Sequence, residues 1–85
     1  MALRFADERA VTRQLARMPG KDRKRLLDAL RMVAADPERR HPFATEMVGR
    51  PGVWRVRRGD WRAVYRVERG DVVVDRVAHR REVYR

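Results

Sequence analysis

The stretch VWRVRRGDWRAVYRV, residues 53–67, decides the fold because apolar and charged side chains alternate along both of its halves. Alternation with a period of two is typical of a β-strand that has one buried and one exposed face. Gly59 and Asp60 separate the halves, and a two-residue loop with glycine first is a common hairpin turn. The stretch therefore predicts a tight antiparallel hairpin.

This turn fixes which residues lie opposite each other, and members of a cross-strand pair share one face of the sheet. The predicted pairs are Arg58–Trp61, Arg57–Arg62, Val56–Ala63, Arg55–Val64 and Trp54–Tyr65. One face is then apolar and suited to packing on helices, so Trp54, Trp61 and Tyr65 are expected to be core residues rather than platforms for stacked bases. The opposite face is basic, with Arg55, Arg57, Arg62 and Arg66.

A further turn over residues 68–71 leads into a third strand over residues 72–79. Unbroken alternation along this strand predicts that Val73, Asp75, Val77 and His79 join the basic face. It assigns Val72, Val74 and Ala78 to the apolar face, where Arg76 is an unexplained exception. Asp75 is placed to pair with Arg66.

The remaining cations, Arg55, Arg57 and Arg62, are here called the arginine cluster, and the pattern places no acid beside them. Like charges directly opposite each other destabilise a sheet, so the cluster indicates that an anion binds there. The alternative is a solvated outer face on which arginine only confers solubility.

Length and composition predict one small domain over residues 1–85 with an anionic partner. The formal net charge is +10, and of the 22 basic residues only Lys21 and Lys24 are lysines. A basic excess of this size favours a polyanion. The chain has no cysteine, which excludes disulfides and thiolate metal sites. It also lacks an apolar stretch of signal-peptide or membrane-span length, so we expect a cytosolic protein without a membrane partner.

The first half of the chain predicts two helices. Leu3 and Phe5 alternate as in a short strand, and Asp7-Glu8 opens a helix that continues to about Arg17. A second helix is expected from Lys21 to about Ala35, and residues 38–52 are expected to form a loop or a short irregular strand. The predicted fold class is α+β, with the order βααβββ and room for one more strand. The two N-terminal helices would pack on one face of a small antiparallel sheet and leave the other face open.

Three blocks of sequence, PGVWRVR at residues 51–57, GDWRAVY at 59–65 and VAHRREVY at 77–84, resemble the RelE branch of the RelE/ParE toxin superfamily. The resemblance spans nearly the whole chain. It implies a βααβββ fold and the toxin of a type II toxin–antitoxin system. It also implies a ribosome-dependent endoribonuclease that cleaves mRNA in the ribosomal A site, with neither a metal nor another cofactor.

The resemblance also implies site residues. Arg55 and Arg57 match the two basic positions of the first hairpin strand, and Arg62 matches the arginine after the turn; these three would hold and neutralise the phosphate. Arg80 and Tyr84 match the C-terminal arginine and tyrosine, which would assist the leaving group and orient the 2′-hydroxyl or stack on a base. A guanidinium is a poor general base. The candidate base or acid is therefore His79, because an imidazole exchanges protons near neutral pH. Further RNA contacts are expected from Arg58, Arg66 and Arg81.

Two other functions fit the same fold. One is a ParE-like toxin that inhibits DNA gyrase, and the other is a non-catalytic or attenuated nucleic-acid-binding protein. The expected partners are mRNA, the ribosome and a cognate antitoxin. The +10 charge predicts that the antitoxin uses an acidic amphipathic segment.

Overall fold

The computed structural model describes residues 2–82, and two helices cover one face of a five-stranded sheet in it. The elements are β1 (Leu3–Phe5), α1 (Glu8–Ala16), α2 (Gly20–Ala35), β2 (Ala44–Glu46), β3 (Val53–Arg58), β4 (Trp61–Glu68) and β5 (Asp71–His79). The strand order is β1-β5-β4-β3-β2. The α+β class and the two packed N-terminal helices are thus confirmed. Within residues 2–82, neither helix is long and apolar enough to cross a membrane.

The sheet is mixed, whereas an antiparallel sheet was predicted. β1 pairs with β5 in parallel, and the other neighbouring strands are antiparallel. Parallel pairing needs a long connection, and here two helices and three strands separate β1 from β5 along the chain. Residues 44–46, expected in a loop or short irregular strand, form the edge strand β2.

Both helices begin and end within one residue of their predicted limits. The carboxylate of Asp7 caps α1 by accepting a hydrogen bond from the Ala10 N–H at 3.0 Å. α2 starts directly after Pro19 and ends before Asp36-Pro37, where proline prevents its continuation. The helices contribute Val11, Leu15, Leu26, Leu30 and Val33 to the core.

The hairpin register confirms the sequence prediction for all five cross-strand pairs. Gly59 has φ +58°, a value that L side chains rarely adopt and that glycine tolerates, as the tight loop requires. Trp54 stacks on buried Tyr65 with ring centroids 6.4 Å apart, and Trp61 packs on the same core. The expectation that these aromatic residues are core residues is therefore confirmed.

A β-bulge in β5 makes part of the predicted face assignment wrong. Tyr65 lies opposite Val74, but its neighbour Val64 lies opposite Arg76, so Asp75 is an extra residue. An inserted residue reverses the alternation of every side chain that follows it. We call the helix-free face of the sheet the open face.

The residues after the bulge therefore exchange faces. Val77 is not on the basic face but in the core beneath the helices. His79 lies opposite Trp61, also on the helix side, whereas Arg76 and Ala78 lie on the open face opposite Val64 and Arg62. The apparent exception of a charged Arg76 on the apolar face thus disappears.

Gln14 of α1 supports β5 just beyond the bulge. β1 pairs with β5 only at residues 72–74, so the outer edge of β5 has no strand beside it at Val77. There the Gln14 Oε1 accepts a hydrogen bond from the Val77 N–H at 2.7 Å. A buried backbone donor needs such an acceptor, so this contact joins the helix layer to the bulged strand.

Replacing Gln14 with Leu should lower the free energy of unfolding by about 1–3 kcal/mol, because the Val77 N–H loses its acceptor. Gln14→Glu replaces the amide oxygen with a carboxylate oxygen that can still accept this hydrogen bond, so it should lose less. Urea denaturation of both variants measures the difference. Equal losses would show that the acceptor oxygen contributes nothing.

Burial raises the pKa of Tyr65 to about 12, above its ordinary value of 10.0. The folded state therefore keeps the phenol protonated at pH values where the unfolded chain ionises it. The resulting stability is complete below pH 10 and is lost as the pH rises towards 12. In Tyr65→Phe this part of the decline in unfolding free energy should disappear; an unchanged pH slope would contradict the assignment.

Candidate functional site

The open face places arginine side chains in a ring around one buried valine. Across β3, β4 and β5, Arg55 lies opposite Val64 and Val64 lies opposite Arg76. Arg62 and Arg66 lie two residues before and after Val64 on the same face of β4. Val64 itself is only 5% exposed. Four cations therefore surround a small apolar centre, and Arg57 adds a fifth beside Arg62.

Arg66 is a member of this ring that acids neutralise. Its Nε lies 3.2 Å from both carboxylate oxygens of Asp75, which confirms the predicted pair. A second ion pair joins its guanidinium to Glu68. These ion pairs explain the presence of Arg66 on the sheet without a bound ligand.

Arg62 is in the opposite situation. It is only 8% exposed, and its Nη1 donates hydrogen bonds to the carbonyl oxygens of Gly59 at 2.7 Å and Trp61 at 3.0 Å. Its buried Nε has no hydrogen-bond partner, and no acid in residues 2–82 forms an ion pair with it. A buried charge without a counter-charge is costly, and a bound anion would compensate that cost.

The other members of the arginine cluster, on β3, are more exposed to solvent than Arg62. Arg57 is exposed and lies directly opposite Arg62, and none of the ion pairs within residues 2–82 involves it. Arg55 is half-buried, two residues earlier on the same face of β3. The structure thus brings together the three arginines that the sequence placed on one face.

The chain after β5 turns beside the hairpin loop. The Arg80 N–H donates to the Asp60 carbonyl at 2.7 Å, and the Arg80 Nε lies 3.5 Å from an Asp60 carboxylate oxygen. This places the half-exposed Arg80 at the same end of the sheet as the Arg62 side chain. Arg81 is exposed, and its backbone N–H donates to the His79 Nδ1 at 3.3 Å.

His79 does not join the arginine cluster. Its ring meets Trp61 edge to face with centroids 5.4 Å apart, on the helix side of the sheet. Arg58 also points to the helix side, where its guanidinium lies 5.4 Å from the centre of the Phe43 ring. Tyr84 lies outside the described residues. In residues 2–82, no group of three or more histidine and acidic side chains could hold a metal ion.

Arg76 is the open-face residue that sequence reasoning missed. Asp75 and Arg76 are adjacent charged residues within a valine-rich strand, and two consecutive polar residues break the alternation of a half-buried strand. That break was the available signal for a bulge.

Comparisons with known proteins agree with this fold. The family model of the ParE toxin of the type II toxin–antitoxin system parDE matches residues 8–84. The chain is 22% identical to a chain of the RelB–RelE antitoxin–toxin complex from Methanococcus jannaschii. The match covers 94% of this chain and 93% of that chain, and the TM-score is 0.76. The chain is 25% identical to a chain of the toxin–antitoxin complex RelBE2 from Mycobacterium tuberculosis. That match covers 92% of this chain and 95% of the other, with a TM-score of 0.69.

A third similar structure is a double arginine-to-alanine mutant of the E. coli toxin RelE in the free state. It is 27% identical, the match covers 98% of this chain and 88% of that chain, and the TM-score is 0.74. No curated protein sequence matches the chain.

Replacing Arg62 with Met should leave the free energy of unfolding unchanged or raise it, because the substitution removes a buried uncompensated charge. Arg66→Met is the matched comparison and should be destabilising, since it leaves Asp75 without its partner. Inorganic phosphate should raise the melting temperature of the wild type more than that of Arg62→Met. Equal shifts with phosphate would show that Arg62 does not bind an anion.

Proposed function

We propose that this chain, which belongs to the family of ParE toxins of type II toxin–antitoxin systems within the RelE/ParE superfamily, is a ribosome-dependent endoribonuclease. The proposed reaction is metal-free cleavage of mRNA in the ribosomal A site. The 2′-hydroxyl attacks the adjacent phosphate, a bond from O2′ to phosphorus forms, and the bond to the 5′-oxygen breaks. The products are a 2′,3′-cyclic phosphate and a 5′-hydroxyl.

The observation that carries this proposal is the buried Arg62 without an acidic partner in residues 2–82. Folding gives no reason to bury a guanidinium directly opposite another arginine. A phosphate that gains negative charge as it passes through a pentacoordinate state is the anion that such a site would stabilise.

Preorganisation of Arg62 favours this role. The carbonyl oxygens of Gly59 and Trp61 already hold its guanidinium, so it need not reorient during the reaction. Preorganised donors aimed at developing charge can supply several kcal/mol of transition-state stabilisation. In the proposal Arg55 and Arg57 bind the same phosphate from β3, and the planar guanidinium suits phosphate oxygens.

Proton transfer is assigned to the C-terminal residues. In the proposal His79 exchanges the proton as acid or base. Its Nδ1 accepts the Arg81 N–H, so the neutral ring carries its proton on Nε2, and this hydrogen bond must be released before the Nδ1 lone pair can act as a base. The helix-side position of His79 requires the RNA to approach past the end of β5. Arg80 would stabilise the leaving oxygen, and Tyr84 would orient the 2′-hydroxyl or stack on a base.

The peripheral arginines would contact RNA outside the cleavage site. Arg58 and Arg81 are exposed, whereas Arg66 already has two acidic partners and would contribute less. These contacts would be to phosphates and therefore independent of base sequence.

A cognate antitoxin is the proposed protein partner, because two of the similar structures are toxin–antitoxin complexes. An acidic amphipathic segment would complement the net charge of +10. We place the protein in the cytoplasm, where ribosomes and mRNA are available.

One specific observation favours a second function. The matching family model describes ParE toxins, so inhibition of DNA gyrase by protein contact is the alternative. A further possibility is a non-catalytic or attenuated protein, because arginines stand at both basic positions of β3 and neither is a good proton acceptor.

Arg57→Ala should reduce cleavage about 100-fold or more without unfolding the protein, because Arg57 is exposed and would bind the transition-state phosphate. Primer extension on an mRNA in a translation reaction, with and without ribosomes, measures the cuts. Arg25→Ala is the matched control, since it removes the same charge from an exposed position on α2.

Ribosome-dependent cuts that Arg57→Ala abolishes and Arg25→Ala preserves would support the nuclease. If the wild type makes no cuts but blocks gyrase supercoiling, the alternative is correct. If it does neither, the protein is a non-catalytic or attenuated member of the family.

A further inference from the structure

The bulge in β5 brings Arg76 onto the open face, and no role has so far been assigned to this residue. Arg76 lies directly opposite Val64, on the side away from Arg55. Two strand spacings separate Arg55 from Arg76, or roughly 10 Å between backbones. The arginine cluster therefore lies towards β3, and Arg76 lies towards β5.

Arg76 has no acidic partner within residues 2–82. The neighbouring Asp75 is bound to Arg66, and no ion pair within residues 2–82 involves Arg76. Its Nη2 donates a hydrogen bond to the exposed Glu82 carbonyl oxygen at 3.3 Å. A guanidinium has five N–H donors, so donors remain for a ligand.

Two acids near the open face both form ion pairs with Arg66. Asp75 and Glu68 lie at the end of the ring that is farther from the hairpin turn. The remaining cations of the ring, together with Arg57, follow a path from β3 across Val64 to β5. A flat basic path with an apolar centre suits an extended polyanion better than one isolated phosphate.

We propose that Arg76 binds a phosphate of its own on single-stranded RNA, one that is distinct from the phosphate at the arginine cluster. The RNA strand then crosses β3, β4 and β5 over Val64. This inference rests on the proposed function, because it extends the path of the same substrate. The contact is to the backbone and does not depend on base sequence.

The test is binding of a single-stranded RNA oligonucleotide that carries 2′-O-methyl groups, so that no 2′-hydroxyl can attack. Fluorescence anisotropy between about 50 and 200 mM salt gives the slope of log K against log [salt]. Arg76→Gln should weaken binding and make this slope less steep by roughly 0.7, the value for one lost phosphate contact on a single strand. The glutamine amide can still donate to the Glu82 carbonyl.

Two matched variants control for folding and for total charge. Arg76→Lys keeps a cation at the same position and should retain the wild-type slope. Arg25→Gln removes a charge from α2 and should leave the slope unchanged. A second RNA of different base sequence should give the same change with Arg76→Gln.

If Arg76→Gln has the same salt slope as the wild type, the proposal is wrong. The Arg76 side chain would then only hold the backbone at Glu82. Equal changes in Arg76→Gln and Arg25→Gln, or no RNA binding by the wild type, would overturn it as well. Cleavage is measured separately by primer extension. A wild type that binds RNA with the expected Arg76 dependence but never cuts mRNA would therefore refute the nuclease and not this contact.

Discussion

The register of β3 on β4 is the constraint on which the rest of this structure depends. The two-residue Gly59-Asp60 turn sets that register, and it sends Trp54, Val56 and Tyr65 beneath the helices. The same pairing necessarily collects arginines on the opposite face, because alternate side chains of a strand point in opposite directions. Core and candidate site are thus two consequences of one pairing, and a shift by one residue would bury the cations and expose the core.

The bulge in β5 is the second determinant, since it decides which of the later β5 side chains lie on the open face and which lie in the core. One extra residue lets Asp75 meet Arg66 and also turns Arg76 outward. Val77 enters the core at the same step, and Gln14 accepts its backbone N–H at the open edge of the strand. This hydrogen bond therefore joins α1 to the strand that carries the bulge.

The presence or absence of an acidic partner separates Arg66 from Arg62 on this face. Arg66 has two acidic partners and stabilises the sheet, whereas the buried Arg62 has backbone carbonyls and no acid in residues 2–82. A fold tolerates such a charge when the rest of the core is well packed, and binding sites are where such costs are found.

Local patterns in the amino-acid sequence were enough to predict the two helices, the hairpin pairs, the packing of Trp54 and Trp61, and the convergence of Arg55, Arg57 and Arg62. These follow from local periodicity and turn chemistry, which act over a few residues. Only the tertiary structure decided the parallel pairing of β1, the bulge at Asp75, and hence the faces of Arg76 and His79. Each of these depends on contacts between residues far apart in the chain, such as Gln14 with Val77. The alternation of residues along one strand does not indicate which strands or helices lie beside it.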